Sequence, residues 1–428
     1  MLLGAVADDL TGATDLSLML SREGMKTIQV IGVPGSDIAF GDADAVVVAL
    51  KSRTNPADEA VGMSLSAARA LLGAGAEQLL FKYCSTFDST DKGNIGPVTD
   101  ALMDIVGADL TIACPAFPAT GRSIYKGYLF VGDVLLSESP MRNHPLTPMR
   151  DPSLVRVLQR QTAAKVGLVD LNSVEQGVDG VAAAFARARR EGERIVIVDA
   201  VRDEHLRTVG SACAGMKLLT GGSGIAMGLP ENFRRAGKLK KNASAEGIKA
   251  PPGKAAIIAG SCSAATRRQI ETAIAAGLPA FQVNALDVAA GAATAGQIVQ
   301  WALANSSAGI PLIYSSADPD VVAEVQAQLG RERAGAIVEA VLASVGTALR
   351  DRGFTRFIVA GGETAGAVVG ALGVTALEIG PEIDPGVPWT LAVGAHPLAL
   401  ALKSGNFGAS DFFLKALAML DGRLPHEQ

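Results

Sequence analysis

Short apolar runs that each stop at polar residues, with helical spacing between them, constrain the fold of this chain most strongly. The runs at 1–7, 44–50 and 77–83 have the pattern of strands, and the stretches at 11–23 and 56–72 have the spacing of helices. Strands that alternate with helices predict a parallel sheet with helices on both faces. Because ligands bind beyond the carboxyl ends of such strands, we expect functional residues directly after the apolar runs.

The alternation is interrupted by a basic stretch and starts again at residue 255. That stretch carries several Arg and Lys residues and a Pro251-Pro252 pair, a composition typical of a solvated connector. We therefore expect an N-terminal domain over 1–230, a basic linker over 231–254 and a C-terminal domain over 255–428. The predicted fold class is α/β, with two domains that each contain a mainly parallel sheet flanked by helices, and an active site in the cleft between them.

Composition and charge exclude several classes of protein. The chain has 38 Lys and Arg against 43 Asp and Glu, a formal net charge of −5, which argues against bulk nucleic-acid binding. Hydrophobic residues make up 49% of the chain, so it can bury large cores and global disorder is excluded. The sequence has neither an apolar stretch long enough for a transmembrane helix nor a secretory signal pattern, so we expect no membrane contact.

The cysteines predict a cytoplasmic protein. Cys84, Cys114, Cys213 and Cys262 lie far apart and form no Cys-x-x-Cys pair, which argues against a zinc site and against a disulfide scaffold. A reducing cytoplasm suits such thiols. The sequence does not indicate which residues would bind a metal ion, and it leaves a homo-oligomer open.

Two carboxylates follow the first strand, in the segment Ala7-Asp8-Asp9-Leu10-Thr11-Gly12. One aspartate can face a crevice while the other caps the next helix, whose N-terminus also favours an anionic ligand. The alternative is a purely structural cap formed by Asp and Thr. Two adjacent carboxylates are more than capping needs, so Asp8 and Asp9 are candidate catalytic residues and Thr11 is a candidate substrate ligand.

Two further strand ends offer side chains suited to a polyhydroxy acid. Lys82, Ser85 and Asp88 lie in one segment after the strand at 77–83, where the lysine can bind a carboxylate and the others can bind sugar hydroxyls. Arg53 follows another strand and can hold a carboxylate through two parallel hydrogen bonds. A Ser/Thr-rich helix cap and an ordinary surface arginine are the structural alternatives.

Residues 115–151 break the alternation and are rich in Pro, Gly and polar side chains. A long irregular stretch in a compact domain is usually functional or disordered. Arg122 and His144 lie in it and are candidate substrate ligands, with simple exposure in a loop as the alternative.

The second half contains three glycine-rich segments, at 260–263, 361–366 and 403–408, and the first two each follow a predicted strand and open a helix. Glycine lets backbone N–H groups approach phosphates closely, and helix N-termini favour their charge. One such loop is common in α/β proteins, but the set favours a nucleotide site. The P-loop and dinucleotide fingerprints are absent from the sequence.

The segments 7–12, 82–90, 361–364 and 403–408 together resemble the four-carbon acid sugar kinase family, over nearly the whole chain. The stretches around Arg122 and His144 most resemble the branch that acts on 3-oxo-tetronate. The resemblance implies phosphorylation of the 4-hydroxyl of a four-carbon sugar acid by ATP with Mg²⁺. It further implies that the N-terminal domain binds the acid and the C-terminal domain binds ATP.

The resemblance also assigns roles to residues. The acid would lie at Asp8, Asp9, Lys82 and Arg53, with Asp8 or Asp9 as the general base. ATP would contact a group of small and acidic residues: Ser261, Gly361, Gly362, Glu363, Thr364 and Gly405. A kinase for D-threonate or D-erythronate has the same loops, and a non-catalytic cytosolic sensor of sugar acids is the alternative from another class.

Overall fold

The structure is a computed structural model that describes residues 1–35, 40–144, 146–240, 250–394 and 397–420. The chain divides into two compact units, Met1–Ala245 and Glu246–Gln428, which are described separately below. Within the described residues, no helix is both long and apolar enough to cross a membrane.

The first unit contains a parallel sheet with helices against it. Its strands are β1 (Leu3–Ala7), β2 (Thr27–Ile31), β3 (Ala45–Ala49), β4 (Gln78–Lys82), β5 (Thr111–Cys114), β6 (Arg122–Tyr125), β7 (Tyr128–Val131), β8 (Val134–Leu135), β9 (Lys165–Val169), β10 (Glu193–Val198) and β11 (Leu218–Gly221). Its helices are α1 (Leu10–Arg22), α2 (Ala57–Gly73), α3 (Ile95–Val106), α4 (Leu154–Gln159), α5 (Leu171–Glu175), α6 (Gly177–Arg190), α7 (Asp203–Ala212) and α8 (Pro230–Arg235).

The main sheet of this unit has the order β2-β3-β1-β4-β11-β5-β10-β9, and all of its strand pairs are parallel. The central strands β1, β3 and β4 are buried along their whole length. Strands covered on both faces are continuous apolar runs rather than alternating ones, which is why the sequence pattern identifies them. The predicted α/β class with a mainly parallel sheet is confirmed for this unit.

The stretch 115–151, expected to be irregular, contains an antiparallel sheet of β6, β7 and β8. Its strands are short and separated by glycine turns, so the sequence pattern does not reveal them. A buried carboxylate anchors this small sheet: Asp199 accepts the N–H groups of Lys126, Gly127 and Leu171 at 2.7, 2.8 and 3.0 Å.

The second unit repeats the α/β pattern. Its strands are β12 (Lys254–Ala259), β13 (Ala280–Gln282), β14 (Leu312–Tyr314), β15 (Phe354–Ala360), β16 (Ala376–Asp384), β17 (Val387–Ala392) and β18 (Ala399–Lys403). Its helices are α9 (Ala264–Ala275), α10 (Ala285–Ala289), α11 (Ala295–Asn305), α12 (Pro319–Leu329), α13 (Arg331–Arg350), α14 (Gly362–Ala371) and α15 (Phe412–Leu420). The strand order is β13-β14-β12-β15-β18-β17-β16; the first five are parallel, and β17 is antiparallel to both of its neighbours.

Parts of the expected linker 231–254 have regular structure. Helix α8 begins at Pro230, buries Phe233 and holds the carbonyl of Glu23 through Arg234 at 2.7 Å, while Lys254 begins β12. A proline at the first helical turn costs no hydrogen bond, which favours a helix here despite the basic composition. Residues 241–249, which include Lys241, lie outside the described residues.

Candidate functional site

The carboxyl ends of three neighbouring strands meet at one edge of the first unit's sheet. Strand β1 lies between β3 and β4, and Ala7 is paired with Ala49 on one side and Lys82 on the other. The carbonyl of Asp8 accepts the N–H groups of Ser52 and Arg53 at 3.0 and 3.2 Å. The register of the three strands therefore brings Asp8, Arg53 and Lys82 together, although they lie far apart in the sequence. They meet at the carboxyl ends of parallel strands, where such sheets bind ligands.

Arg53 holds both aspartates. Its Nε and Nη2 donate to the two carboxylate oxygens of Asp8 at 2.8 and 2.7 Å, and Nη2 also donates to Asp9 Oδ1 at 2.7 Å. Its Nη1 lies 3.9 Å from Asp88 Oδ2. The paired carboxylate contact that the sequence predicts for Arg53 is thus made with Asp8, a residue of the protein, and Nη1 makes no short contact with any described residue.

Asp9 caps helix α1 while facing two cations. Its carboxylate accepts the N–H of Gly12 at 3.0 Å and the hydroxyl of Thr11 at 2.9 Å. A Cβ on Gly12 would lie 2.3 Å from Asp9 Oδ1 and 2.9 Å from Lys82 Nζ, so only glycine fits between them. The Asp9 carboxylate therefore caps α1 and also faces the cations of the candidate site. Thr11 holds that carboxylate through its hydroxyl.

The two aspartates have different pKa values because their surroundings differ. Burial raises the pKa of Asp8 above its ordinary value, in spite of Arg53. Burial also opposes ionisation of Asp9, but Arg53, Lys82 and the hydrogen bonds from Thr11 and Gly12 outweigh it and lower its pKa. The Asp9 side chain is 28% exposed against 4% for Asp8. Asp9 is thus the carboxylate that stays ionised and can reach a ligand.

The loop after β4 places Asp88 beside this group in a strained conformation. Phe87 and Asp88 have φ of 66° and 42°, in the left-handed region that non-glycine residues rarely adopt. The hydroxyl of Thr86 donates to Asp88 Oδ1 at 2.7 Å. Strain of this kind persists only where the surrounding structure imposes it, and it is common at ligand sites.

Sequence reasoning missed Asn94. Its amide Nδ2 donates to the carbonyls of Ser52, Arg53 and Asn55 at 2.8, 3.2 and 3.2 Å, so one buried side chain fixes the loop that carries Arg53. Asparagine before a helix normally indicates a cap, but Asn94 makes no such bond to α3. No local sequence signal distinguishes this role from a cap.

The remaining predicted acid ligands, Ser85, Arg122 and His144, are not joined to this group by a hydrogen bond or an ion pair among the described residues. Ser85 is half-buried in the loop after β4. Arg122 begins β6 and donates through Nη1 to the carbonyl of Thr120, and His144 Nδ1 accepts the N–H of Thr147 at 3.1 Å. Among the described residues, neither Arg122 nor His144 makes a hydrogen bond or ion pair with Asp8, Asp9 or Lys82.

In the second unit, the three glycine segments converge. Gly361 donates its N–H to the carbonyl of Lys403 at 2.9 Å, and Gly260 donates to that of Ala360 at 2.9 Å. A Cβ on Gly260 would lie 2.0 Å from Thr364 Oγ1, and one on Gly405 would lie 2.4 Å from Ser261 Oγ. These glycines are required because the loops touch, which the sequence alone does not show.

A cavity of about 740 Å³ opens beside these loops within the second unit. That volume is in the range of small-molecule and cofactor sites. One wall is apolar and includes Val321, Val322, Val325 and Val338, while the loops form a polar end. Five of the six residues expected at ATP line the cavity, namely Ser261, Gly361, Gly362, Glu363 and Thr364. Gly405 is not among the lining residues but packs against Ser261.

The described residues contain no group of three or more His, Cys, Asp or Glu side chains placed to hold a metal ion. A dedicated protein cage for a metal is therefore absent from this part of the chain. Two carboxylates, Glu339 and Glu363, do line the cavity of the second unit. Mg²⁺ is usually held by one or two carboxylates together with substrate phosphates and water, so this donor set fits it.

Comparison with known proteins agrees with this division. A family model described as a sugar-binding N-terminal domain matches residues 3–229, and one described as a nucleotide-binding C-terminal domain matches residues 256–413. Curated proteins named 3-oxo-tetronate kinase, from Pseudomonas fluorescens and Burkholderia multivorans, are each 55% identical over 98% of this chain, and the matches cover 97% and 98% of those proteins.

A solved structure extends the comparison to the fold. The crystal structure of a Haemophilus influenzae protein matches with a TM-score of 0.82 and 44% sequence identity, covering 97% of this chain and all of that one. Sequence and fold thus agree over nearly the full length. The chain belongs to the four-carbon acid sugar kinase family.

Proposed function

We infer that this protein is an ATP-dependent 3-oxo-tetronate kinase, which transfers the terminal phosphoryl group of ATP to the 4-hydroxyl of its substrate. The observation that carries this inference is the 55% identity, over 98% of the chain, to curated proteins of that name. Identity at this level over both halves of the chain is accompanied by two separate sites of different chemistry. One gathers carboxylates and cations, and the other gathers glycine loops beside an apolar wall.

The second unit would bind ATP in the cavity beside its glycine loops. The valine-lined wall suits the base, and the loops at 260–263 and 361–364 suit the phosphates because α9 and α14 begin there. Mg²⁺ bound with ATP would neutralise phosphate charge, and Glu363 and Glu339 are the carboxylates that would hold it. Family membership and the nucleotide-binding match support this use of ATP.

The first unit would bind the sugar acid, with Asp9 as general base. Asp9 is ionised and partly exposed, whereas Asp8 is buried and held at both oxygens by Arg53. The proton of the 4-hydroxyl would pass to Asp9, a bond would form from that oxygen to the γ-phosphorus, and ADP would leave with the electrons of the broken P–O bond. Positioning and charge neutralisation would supply most of the rate, as in phosphoryl transfer generally.

Lys82 would neutralise the charge of the substrate. It lies at the end of β4, donates one hydrogen bond to the carbonyl of Tyr83 at 2.8 Å, and approaches Gly12 at the N-terminus of α1. We assign the substrate carboxylate to Lys82 and Arg53 Nη1, with Asp88 and Ser85 toward the sugar hydroxyls. The reaction requires the acid and the nucleotide to meet, so a site between the two domains stays a prediction.

ADP release tests the function. The purified protein is incubated with Mg-ATP and 3-oxo-tetronate, D-threonate, D-erythronate or L-threonate, and the Asp9→Asn variant controls for contaminating kinases. We expect turnover with the 3-oxo acid and little with the others. Turnover only with a reduced acid would keep the kinase and change its substrate. Binding of a four-carbon acid and of ATP without ADP release would instead indicate a sensor.

A further inference from the structure

Lys403 is a buried cation that takes no part in the phosphoryl transfer proposed above. It is the last residue of β18, and its side chain is fully buried. Its Nζ donates three hydrogen bonds, to Thr266 Oγ1 at 2.9 Å and to the carbonyls of Ser404 and Gly405 at 3.1 Å each. All three ammonium donors are therefore satisfied, and none is left for a ligand.

These bonds fix the direction of two consecutive peptide groups. In a trans peptide the C=O and the following N–H point in opposite directions. Because the carbonyls of Ser404 and Gly405 face Lys403, the N–H groups of Gly405 and Asn406 must face away from it. Neither N–H makes a hydrogen bond within the described residues, and Asn406 is exposed. Successive N–H groups turned the same way form an anion-binding concavity.

The carbonyl of Gly405 is held unusually firmly. Besides Lys403, it accepts the hydroxyls of Thr266 at 3.0 Å and Ser263 at 2.5 Å. Ser263 also caps α9 by accepting the N–H of Thr266 at 3.2 Å. The turned loop is thus fastened to the start of α9, and through Ser261 it adjoins the cavity assigned to the nucleotide.

Lys82 and Lys403, the last residues of β4 and β18, differ in their counter-charges. Lys82 also donates to the carbonyl of the next residue, but it approaches Asp9 and lowers the pKa of that carboxyl. No ion pair to Lys403 occurs among the described residues. Its positive charge is balanced by dipoles alone, so an anion bound on the far side of the loop would complete the site.

We propose that Lys403 is a positioning residue for nucleotide phosphate: it turns the N–H groups of Gly405 and Asn406 toward the phosphate oxygens and supplies the buried positive charge behind them. This inference rests on the proposed use of ATP but not on the identity of the sugar acid. It assigns Lys403 an effect on nucleotide binding through the loop, without direct contact to the ligand.

A pH dependence follows from the same geometry. Burial lowers the pKa of Lys403 to about 8. Burial alone accounts for the shift, with no contribution from the ionisable groups on the elements around it: Cys262, Arg267, Arg268, Glu271, Arg356, Glu363 and the Asp384–Lys415 pair. The value of about 8 is that of the nucleotide-free protein. Because phosphate favours the protonated lysine, ATP should bind more weakly as the pH rises through 8.

Titration calorimetry with Mg-ATP, without any sugar acid, tests the proposal on the full chain. We expect Lys403→Met to raise the Kd for ATP about 10- to 100-fold, the usual effect of removing a charged hydrogen-bonding group. Lys403→Arg should recover part of the affinity and make it independent of pH between about 7 and 9, because arginine keeps its charge. Lys254→Met is the matched control, since it removes a lysine from the other end of the strands in the same unit.

The outcomes are distinguishable from a failure of the proposed kinase activity. Absence of turnover with intact ATP binding would concern the sugar acid and leave these expectations in force. A wild-type Kd in Lys403→Met, or a wild-type affinity that stays flat from about pH 7 to 9, would overturn the proposal. If Lys403→Met does not fold, the pH profiles decide: ATP affinity that falls with pH in the wild type but not in Lys403→Arg supports the proposal, and the same profile in both proteins overturns it.

Discussion

Removing the Arg53 guanidinium should destabilise the first unit strongly, and the size of the loss can be worked from its contacts. Arg53 makes three short hydrogen bonds to Asp8 and Asp9, and Asp8 is only 4% exposed. Breaking a buried ion pair by removing one partner costs about 3–5 kcal/mol because a buried charge is left without a partner. The Arg53 side chain is 22% exposed, so we expect Arg53→Met to cost about 3 kcal/mol, near the lower end of that range.

Urea denaturation at neutral pH measures this loss, and the chain provides a matched control. Arg156 holds Asp151 with the same paired geometry, at 3.0 and 2.6 Å, but its side chain is 51% exposed. Arg156→Met should therefore cost less than about 1 kcal/mol. The double variant Arg53→Met/Asp8→Asn should recover part of the loss, because it removes the unpaired charge. A loss below about 1 kcal/mol in Arg53→Met, or no recovery in the double variant, would refute the reasoning.

Three further outcomes test the sites. Asp9→Asn should lower kcat about 10²- to 10⁴-fold, as expected for loss of a general base, whereas Asp8→Asn should lower it less; coupled ADP release measures both. Gly405→Ala should raise the KM for ATP at least tenfold, because its Cβ would lie 2.4 Å from Ser261 Oγ, while Gly366→Ala, with open space around it, should leave the KM unchanged. Because the pKa of Asp9 is lowered, the base stays ionised in weak acid, so kcat/KM for the sugar acid at saturating ATP should be flat from about pH 7 down to about pH 5; a fall that begins above pH 5 would contradict Asp9 as the base and point to Asp8, whose pKa is raised.

Strand ends made much of the first site predictable from the sequence. The paired register of Ala7 with Ala49 and Lys82 brings the residues that follow these strands to one edge. Apolar runs identify parallel strands well because both faces are buried. The same reasoning could not show that Arg53 binds the protein's own carboxylates, since a strand-end arginine has one sequence pattern whether its partner is a ligand or a side chain.

Roles that depend on contacts distant in sequence were not predictable. Asn94 fixes the Arg53 loop through three carbonyls that lie about 40 positions earlier in the chain, and nothing local separates it from a helix cap. The hairpin strands β6 and β7 were hidden in a segment rich in turn residues. Both cases depend on tertiary packing, which overrides local pattern.

Lys82 and Lys403 show how far one sequence signal can mislead. Each ends a buried strand, each is buried, and each donates to the carbonyl of the next residue. Strand-end position alone therefore predicts the same ligand contact for both. The neighbours differ, because a carboxylate faces Lys82 whereas carbonyls and a hydroxyl surround Lys403. Lys82 can bind a substrate through those ammonium N–H groups that its contacts within the protein do not use. Lys403 uses all three of its N–H groups within the protein, so it acts through the backbone that it orients. The chemistry at each strand end is thus set by the partners that the fold supplies, and substitution at the two lysines should separate the two roles.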